Sequence, residues 1–196
     1  MCLIAFALDQ SSRFPFVMAA NRDEFFDRPA ARLGWWEPEA GGPAILGGRD
    51  LQAGGTWLGL TALGRLGMVT NIRDPHDMDP QAPSRGQIVP QWLKGDLHMS
   101  MLWPRLAMSG HNGFNMIALD FAQGECYWIN NRRVYPERLQ RGIFGLSNAL
   151  LNTPWPKVQA LKGRLKTAIP ESQDADELAH SLFEALADPA QAPDEQ

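Results

Sequence analysis

Apolar and polar positions follow two rhythms along this chain, and the change between them falls three quarters of the way along. Before it, apolar residues come in short runs of strand length. Cys2 to Leu8 and Pro15 to Ala20 are almost continuously apolar and are joined by D-Q-S-S-R-F. That pattern predicts a hairpin with a longer loop, its strands covered on both faces. Thr56 to Thr61 with Arg65 to Ile72 predicts a second hairpin, and Phe114 to Phe121 with Cys126 to Asn130 a third, turning through A-Q-G-E. Ile143 to Leu146 predicts a short strand ending at Ser147-Asn148. Residues 27–55, rich in Gly, Pro and Trp, read as irregular. A short helix from Ser84, broken at Pro90, and another within Asp96 to Met108 complete this part.

Beyond residue 150 the period becomes helical. Trp155, Val158, Leu161, Leu165 and Ile169 recur at helical spacing behind Thr153-Pro154, a helix start. Ala175 to Ala187 predicts a second amphipathic helix with Leu178, Leu182, Phe183 and Leu186 on one face. Strands first and helices last, with short connections, predict an α+β fold: antiparallel sheet covered by helices. Residues 1–188 are expected as one domain, and 189–196 as a disordered tail or a truncation point.

Composition narrows the function classes. The 196 residues carry a net charge of -4 and no basic cluster, which argues against a nucleic-acid partner. The apolar runs are far shorter than a membrane span. The first residues have neither the basic region nor the cleavage site of a secretory signal, so a cytoplasmic location is expected. Cys2 and Cys126 belong to no C-x-x-C and are expected to be reduced. His76, His98, His111 and His180 lack ligand spacing, so no metal is expected. No phosphate-binding loop or dinucleotide fingerprint occurs, and no cofactor is expected. The oligomeric state is left open.

The candidate chemistry lies at the start. A small second residue favours removal of Met1, and Cys2 would then carry a thiol and a free α-amine on one residue. An unperturbed thiol titrates near about 8.5 and an α-amine near about 7.7–8.0, so that amine can take the thiol proton near neutral pH. In a hairpin the end of the second strand lies beside the start of the first, so Arg22 or Asp23 should reach Cys2. Arginine there would favour thiolate, and aspartate would orient the amine. The structural alternative is that Asp23 caps a turn and Arg22 pairs with Glu24 on the surface.

A set of ordered motifs adds to this: M-C-L-I-A-F, A-A-N-R-D-E-F-F-D-R-P, I-L-G-G-R-D, G-G-T-W-L-G, V-T-N-I-R-D-P, S-R-G, G-F-N-M-I, G-L-S-N and T-P-W-P-K-V. Together they resemble the NRDE family, also called the transport and Golgi organisation family, from residue 1 to about residue 165. That family is grouped with the N-terminal nucleophile hydrolases. The resemblance therefore implies a four-layer αββα sandwich of antiparallel sheets and a nucleophile at Cys2. Relatives in the wider cysteine branch, such as penicillin V acylase, cleave non-peptide amide bonds through an acyl-enzyme. The branch's Arg-Asn-x-Asp strand end is similar to Asn21-Arg22-Asp23, with the order altered. Its oxyanion asparagines correspond to Asn71 and Asn148, each worth about 2.7–4 kcal/mol as an oxyanion donor. Without the family, both read as turn asparagines at strand ends. A later supporting arginine has a rough counterpart in Lys157, although lysine is not equivalent to arginine.

The resemblance implies a catalytic set of Cys2, Arg22, Asp23, Asn71 and Asn148. Asn21, Trp35, Trp36, Trp57 and Lys157 are candidates for substrate binding. Trp35-Trp36 read as a lid or acyl-chain wall in a loop, whereas core packing is the commoner use of Trp57 and Trp128. The partner is expected to be a small acyl or amide substrate. The alternative is a non-catalytic binding or trafficking protein for haem, lipid or another hydrophobic ligand on the same fold. Family members typically continue beyond the helical region, and this chain stops at Gln196.

Overall fold

The computed structural model describes residues 2–74, 76–133 and 135–188. The expected tail at 189–196 lies outside the described residues. The chain forms two compact units. The first joins its start, up to Asp23, to everything from Gln140 onward, and the second is Glu24–Leu139.

The first unit is built on a three-stranded antiparallel sheet. Strand β1 (Cys2–Leu8) lies in the middle, with β2 (Phe16–Arg22) on one side and β10 (Gly142–Leu146) on the other. The hairpin register pairs Cys2 with Arg22, Leu3 with Asn21 and Ala5 with Ala19. On the other side Ile4 pairs with Leu146 and Phe6 with Phe144. Alternation then sorts the strand by face. Ala5, Ala7, Val17 and Ala19 pack against Leu161, Leu165, Leu178 and Leu182 of two helices, α3 (Pro156–Glu171) and α4 (Ala175–Leu186). Small residues on the strands let these helices approach closely. Cys2, Ile4 and Phe6 point to the opposite face, where Phe6 stacks on Phe144 at 5.2 Å. Pro156 opens α3, where its missing N–H costs nothing, and Asp174 caps α4 by accepting from the Glu177 N–H at 2.9 Å.

The second unit carries a seven-stranded antiparallel sheet in simple sequence order. Its strands are β3 (Ala30–Trp36), β4 (Ile45–Asp50), β5 (Leu58–Thr61), β6 (Arg65–Asn71), β7 (Phe114–Asp120), β8 (Glu125–Asn130) and the short β9 (Glu137–Arg138). Helices α1 (Ile88–Leu93) and α2 (Met99–Ala107) cover one face. There Ile88, Trp92, Leu102 and Leu106 meet Val69, Phe114 and Met116. The Trp92 Nε1–H donates to the Leu66 carbonyl at 3.0 Å, so the ring anchors α1 to β6 through both apolar and polar contact.

Over the described residues the chain is therefore α+β with two antiparallel sheets and four α-helices, as expected. Three local expectations are corrected. Residues 27–55 are not irregular: β3 and β4 lie within them, their apolar pattern hidden by glycine and by a register shift between Ala31 and Gly34. Trp35 and Trp36 thus sit on a strand and not on a loop. Pro90 does not break its helix, because it falls in the first turn, where backbone N–H groups lack partners in any case.

A buried polar network also escapes the sequence pattern. Asn115 on β7 accepts from Trp128 Nε1 at 3.1 Å and from Asn130 Nδ2 at 2.9 Å, while its own Nδ2 donates to Thr70 Oγ1 at 3.3 Å. These four residues tie β6, β7 and β8 together in one register.

Two glycine motifs meet in this unit. The Thr56 N–H donates to the Gly86 carbonyl at 3.0 Å, and a Cβ on Gly55 would fall inside the contact limit of that same backbone oxygen. Gly55→Ala is therefore expected to separate G-G-T-W-L-G from S-R-G and to destabilise the protein by about 1–3 kcal/mol. Urea unfolding of the variant beside wild type measures this. An unchanged midpoint would show that the close approach is not needed.

Candidate functional site

The end of the three-stranded sheet gathers most of the candidates found in the first unit. Cys2 is half-buried, and β2 places Arg22 directly opposite it. The backbone N–H of Asp23 donates a hydrogen bond to the Cys2 thiol. On the other side the ladder ends at the Ile4–Leu146 pair, and the chain runs on through Ser147 and Asn148 beside Cys2. Ser147 secures this extension. Its Oγ donates to the Cys2 carbonyl at 2.7 Å and lies 3.3 Å from Asn148 Oδ1, which orients the Asn148 amide. Ser147 and Asn148 are both buried.

Opposed forces act on the thiol. Burial pushes the Cys2 pKa up, and the Asp23 carboxylate adds to that. The positive amino terminus, the Asp23 backbone N–H and the Arg22 guanidinium pull it down. Burial prevails and the net shift is upward. This corrects the expectation of a thiol lowered by arginine: Arg22 acts in the expected direction but does not outweigh desolvation. Lys157, in the first turn of α3, belongs to the same electrostatic group. Burial pushes its pKa down, while Asp23 and Cys2 both favour its charged form. Its ammonium stands 5.7 Å from the centre of the Trp155 ring.

The N-R-D-E tetrad thus divides. Asn21, opposite Leu3, lies on the helix-covered face, and its Nδ2 donates to the Leu186 carbonyl at the end of α4 at 2.9 Å. That is a helix-end contact, satisfying a carbonyl that has no partner within the helix. Arg22 and Asp23 attend Cys2. Glu24 accepts from the Phe25 N–H at 3.1 Å and lies 3.9 Å from Arg28. Arg28 in turn holds Asp50, the last residue of I-L-G-G-R-D, at 2.6 Å. Burial would raise the Asp50 pKa, but the bond to Arg28 and the N–H groups of Ala53 and Gln52 bring it below the usual carboxylate value. Three charged positions of the motifs, Glu24, Arg28 and Asp50, are accordingly structural within the second unit.

The remaining candidates also belong to the second unit. Asn71 ends β6 opposite Phe114 and is exposed, on the face that Val69 turns to the helices. Trp35 is exposed on β3. Trp36 packs on the helix-side core, donates to the Gly47 carbonyl at 3.2 Å and carries the Arg49 guanidinium over its ring. Trp57 packs against the same core, and Trp128 is buried. A half-open groove lined by Ile45, Gly54, Gln87, Lys94, Leu97 and Arg105 contains none of the candidates. Among the described residues, no group of three or more His, Cys, Asp or Glu could hold a metal ion, and no helix is long and apolar enough to cross a membrane.

Ser147 is the residue that sequence reasoning misses. Its place between the last strand residue and Asn148 in G-L-S-N is visible, but its hydroxyl bond to a carbonyl at the other end of the chain is not.

A family model described as Transport and Golgi organisation 2 matches residues 1–196. The chain belongs to this family. A Transport and Golgi organization protein 2 homolog from Homo sapiens is 38% identical over 210 residues, covering 99% of this chain and 75% of the relative. The Mus musculus homolog is 36% identical over the same span and coverage. Drosophila melanogaster Transport and Golgi organization protein 2 is 29% identical over 181 residues, covering 81% of this chain and 62% of that protein. Among solved structures, a penicillin V acylase from Agrobacterium tumefaciens superposes with a TM-score of 0.48 at 12% identity, covering 100% of this chain and 75% of the other.

In this family member the two thiols should differ in reactivity. Burial alone pushes Cys126 up to about 12, so Cys2 is expected to be alkylated by iodoacetamide far faster. The rate at Cys2 should rise with pH through a midpoint above the ordinary thiol value. Arg22→Ala removes a charge that favours thiolate and should move this midpoint up. Asp23→Asn keeps the backbone N–H but removes a charge that opposes thiolate, and should move it down. Peptide mapping across a pH series reads both shifts; shifts of the same sign would refute the assigned electrostatics.

Proposed function

We propose that this protein is an N-terminal nucleophile hydrolase that cleaves a non-peptide amide or related acyl bond through Cys2. The observation that carries the reading is the convergence of Arg22, Asp23, Asn148 and Lys157 on the first strand residue of the chain. The family resemblance assigns the nucleophile to that same residue.

In this reading Met1 is removed, and the Cys2 α-amine takes the thiol proton as Sγ attacks the substrate carbonyl carbon. Asp23 orients the amine. Arg22 and Lys157 favour the thiolate and oppose burial without outweighing it. Asn148 donates its amide to the oxyanion, a contribution of about 2.7–4 kcal/mol to the barrier. Collapse of the tetrahedral intermediate breaks the C–N bond, and the leaving amine takes the proton from the α-ammonium. Water, deprotonated by the same α-amine, then attacks the thioester. The C–S bond breaks and the thiol regains its proton. The substrate class is a small acyl amide, and Cys2 must stay reduced, which suits a cytoplasmic location.

One observation favours the second reading, a binding or trafficking protein for haem or a lipid-like ligand. Burial leaves the Cys2 thiol above its ordinary value, which is opposite to activation. The two readings separate in one experiment. Untagged protein is first weighed by mass spectrometry, and the hydrolase reading expects loss of Met1. Wild type and Cys2→Ala are then screened against acyl amides and thioesters for turnover, and against haem and fatty acids for binding. Turnover that disappears in Cys2→Ala supports the hydrolase. Retained Met1, or binding without turnover that survives Cys2→Ala, overturns it.

A further inference from the structure

The half-open groove of the second unit has a volume of about 440 Å³, within the usual range of small-molecule sites. Three walls form it: the β3–β4 loop at Pro38, Glu39 and Pro43, the turn at residues 53–55, and the run from α1 into α2. Each wall is braced. Gly55 closes on Gly86 beside the Thr56 N–H bond. Arg65, paired with Asp120 at 3.0 Å, donates to the Trp92 and Leu97 carbonyls at 3.2 and 3.1 Å and so fixes the turn between the two helices. Lys94, at the end of α1, meets Glu39 of the β3–β4 loop at 3.3 Å. A groove already held in shape lowers the ordering cost of binding.

Its chemistry points to one kind of occupant. Ile45, Leu97 and Leu102 supply an apolar surface. Lys94 and Glu39 neutralise each other. Asp96 and Arg105 also line the groove, and neither has an ion-pair partner among the described residues. One carboxylate and one guanidinium therefore remain for a ligand that carries both charges. Asp96 precedes His98, the cap of α2, and the helix from that cap to Arg105 advances roughly 10 Å. An extended peptide spans about 3.3–3.6 Å per residue, so about three residues bridge this distance. A single α-amino acid, with both charges on one carbon, is too short. Gln87 adds a side-chain amide on the same lining, able to donate to and accept from a peptide bond. We propose that this groove binds a short apolar peptide with free termini, its carboxylate on Arg105 and its ammonium on Asp96.

The test is a titration of the full chain with the tripeptide Ala-Leu-Ala, followed by amide NMR shifts. Saturable shifts are expected at Gly54, Gln91 and Leu97. N-acetylation and C-amidation of the peptide should each weaken binding several-fold, and leucine alone should bind far more weakly. Two variants assign the ends. In Asp96→Asn, N-acetylation should cost nothing further while C-amidation still does. In Arg105→Gln the reverse should hold. Both positions are exposed, and circular dichroism checks that each variant keeps the fold; if either does not, the blocked peptides on wild type decide. No saturable shift, shifts confined to other surfaces, or blocked peptides that bind as well as the free one overturn the proposal. Sensitivity to C-amidation alone would mean a simple anion site, and to N-acetylation alone a simple cation site; either result overturns it too. Blocking costs unchanged by the variants overturn the assignment of Asp96 and Arg105.

Discussion

The arrangement of the first unit depends on the antiparallel ladder of β1. A chain terminus is ordinarily loose, because nothing holds its first residues. Here the first strand is the middle one of three, with Arg22 on one flank and the Ser147-Asn148 extension on the other. Backbone pairing with Arg22 on one flank and the Ser147 hydroxyl on its carbonyl on the other hold Cys2 in place. Every other feature of the site, from the Asp23 N–H at the thiol to the approach of Lys157, assumes that fixed position.

The same placement creates the central tension in the site. A residue in the middle of a sheet loses water, and water is what stabilises a thiolate. Arg22, the Asp23 amide and the terminal ammonium work against that loss but do not reverse it while Met1 is present. Removing Met1 would bring the ammonium onto Cys2 itself, so that the thiol and the charge favouring its ionisation share one residue. Processing and electrostatics are thus one question at this position.

Local signals make much of this architecture legible in the sequence. Continuous apolar runs reveal the hairpin of β1 and β2, and its register follows from simple antiparallel pairing, which is why Arg22 can be placed near Cys2 from the sequence. Helical spacing locates α3 and α4. What stays hidden depends on distant partners. Strand β3 looks irregular because three of its residues are alanine or glycine and, among its residues, Trp36 makes the core contact. Asn21 is indistinguishable from its neighbours in the tetrad until the end of α4 supplies the carbonyl it binds. Asn115, in the middle of an apolar strand, reads as a flaw until Thr70, Trp128 and Asn130 surround it. The sign of the Cys2 shift is hidden for the same reason: nearby charges can be read from a pairing, but burial is set by the whole molecule.

The discontinuity of the first unit has a bearing on synthesis. The β1–β2 hairpin leaves the ribosome well before its third strand and both covering helices, which are encoded after the entire second unit. At roughly 5–20 residues per second, the interval lasts on the order of ten seconds. Throughout that window β1 has only β2 beside it. Strand β10, and the Ser147 hydroxyl that reaches the Cys2 carbonyl, arrive only afterwards. On the proposed hydrolase reading, which needs Met1 removed, the order of the codons leaves the start of the chain without the remainder of its sheet during that interval.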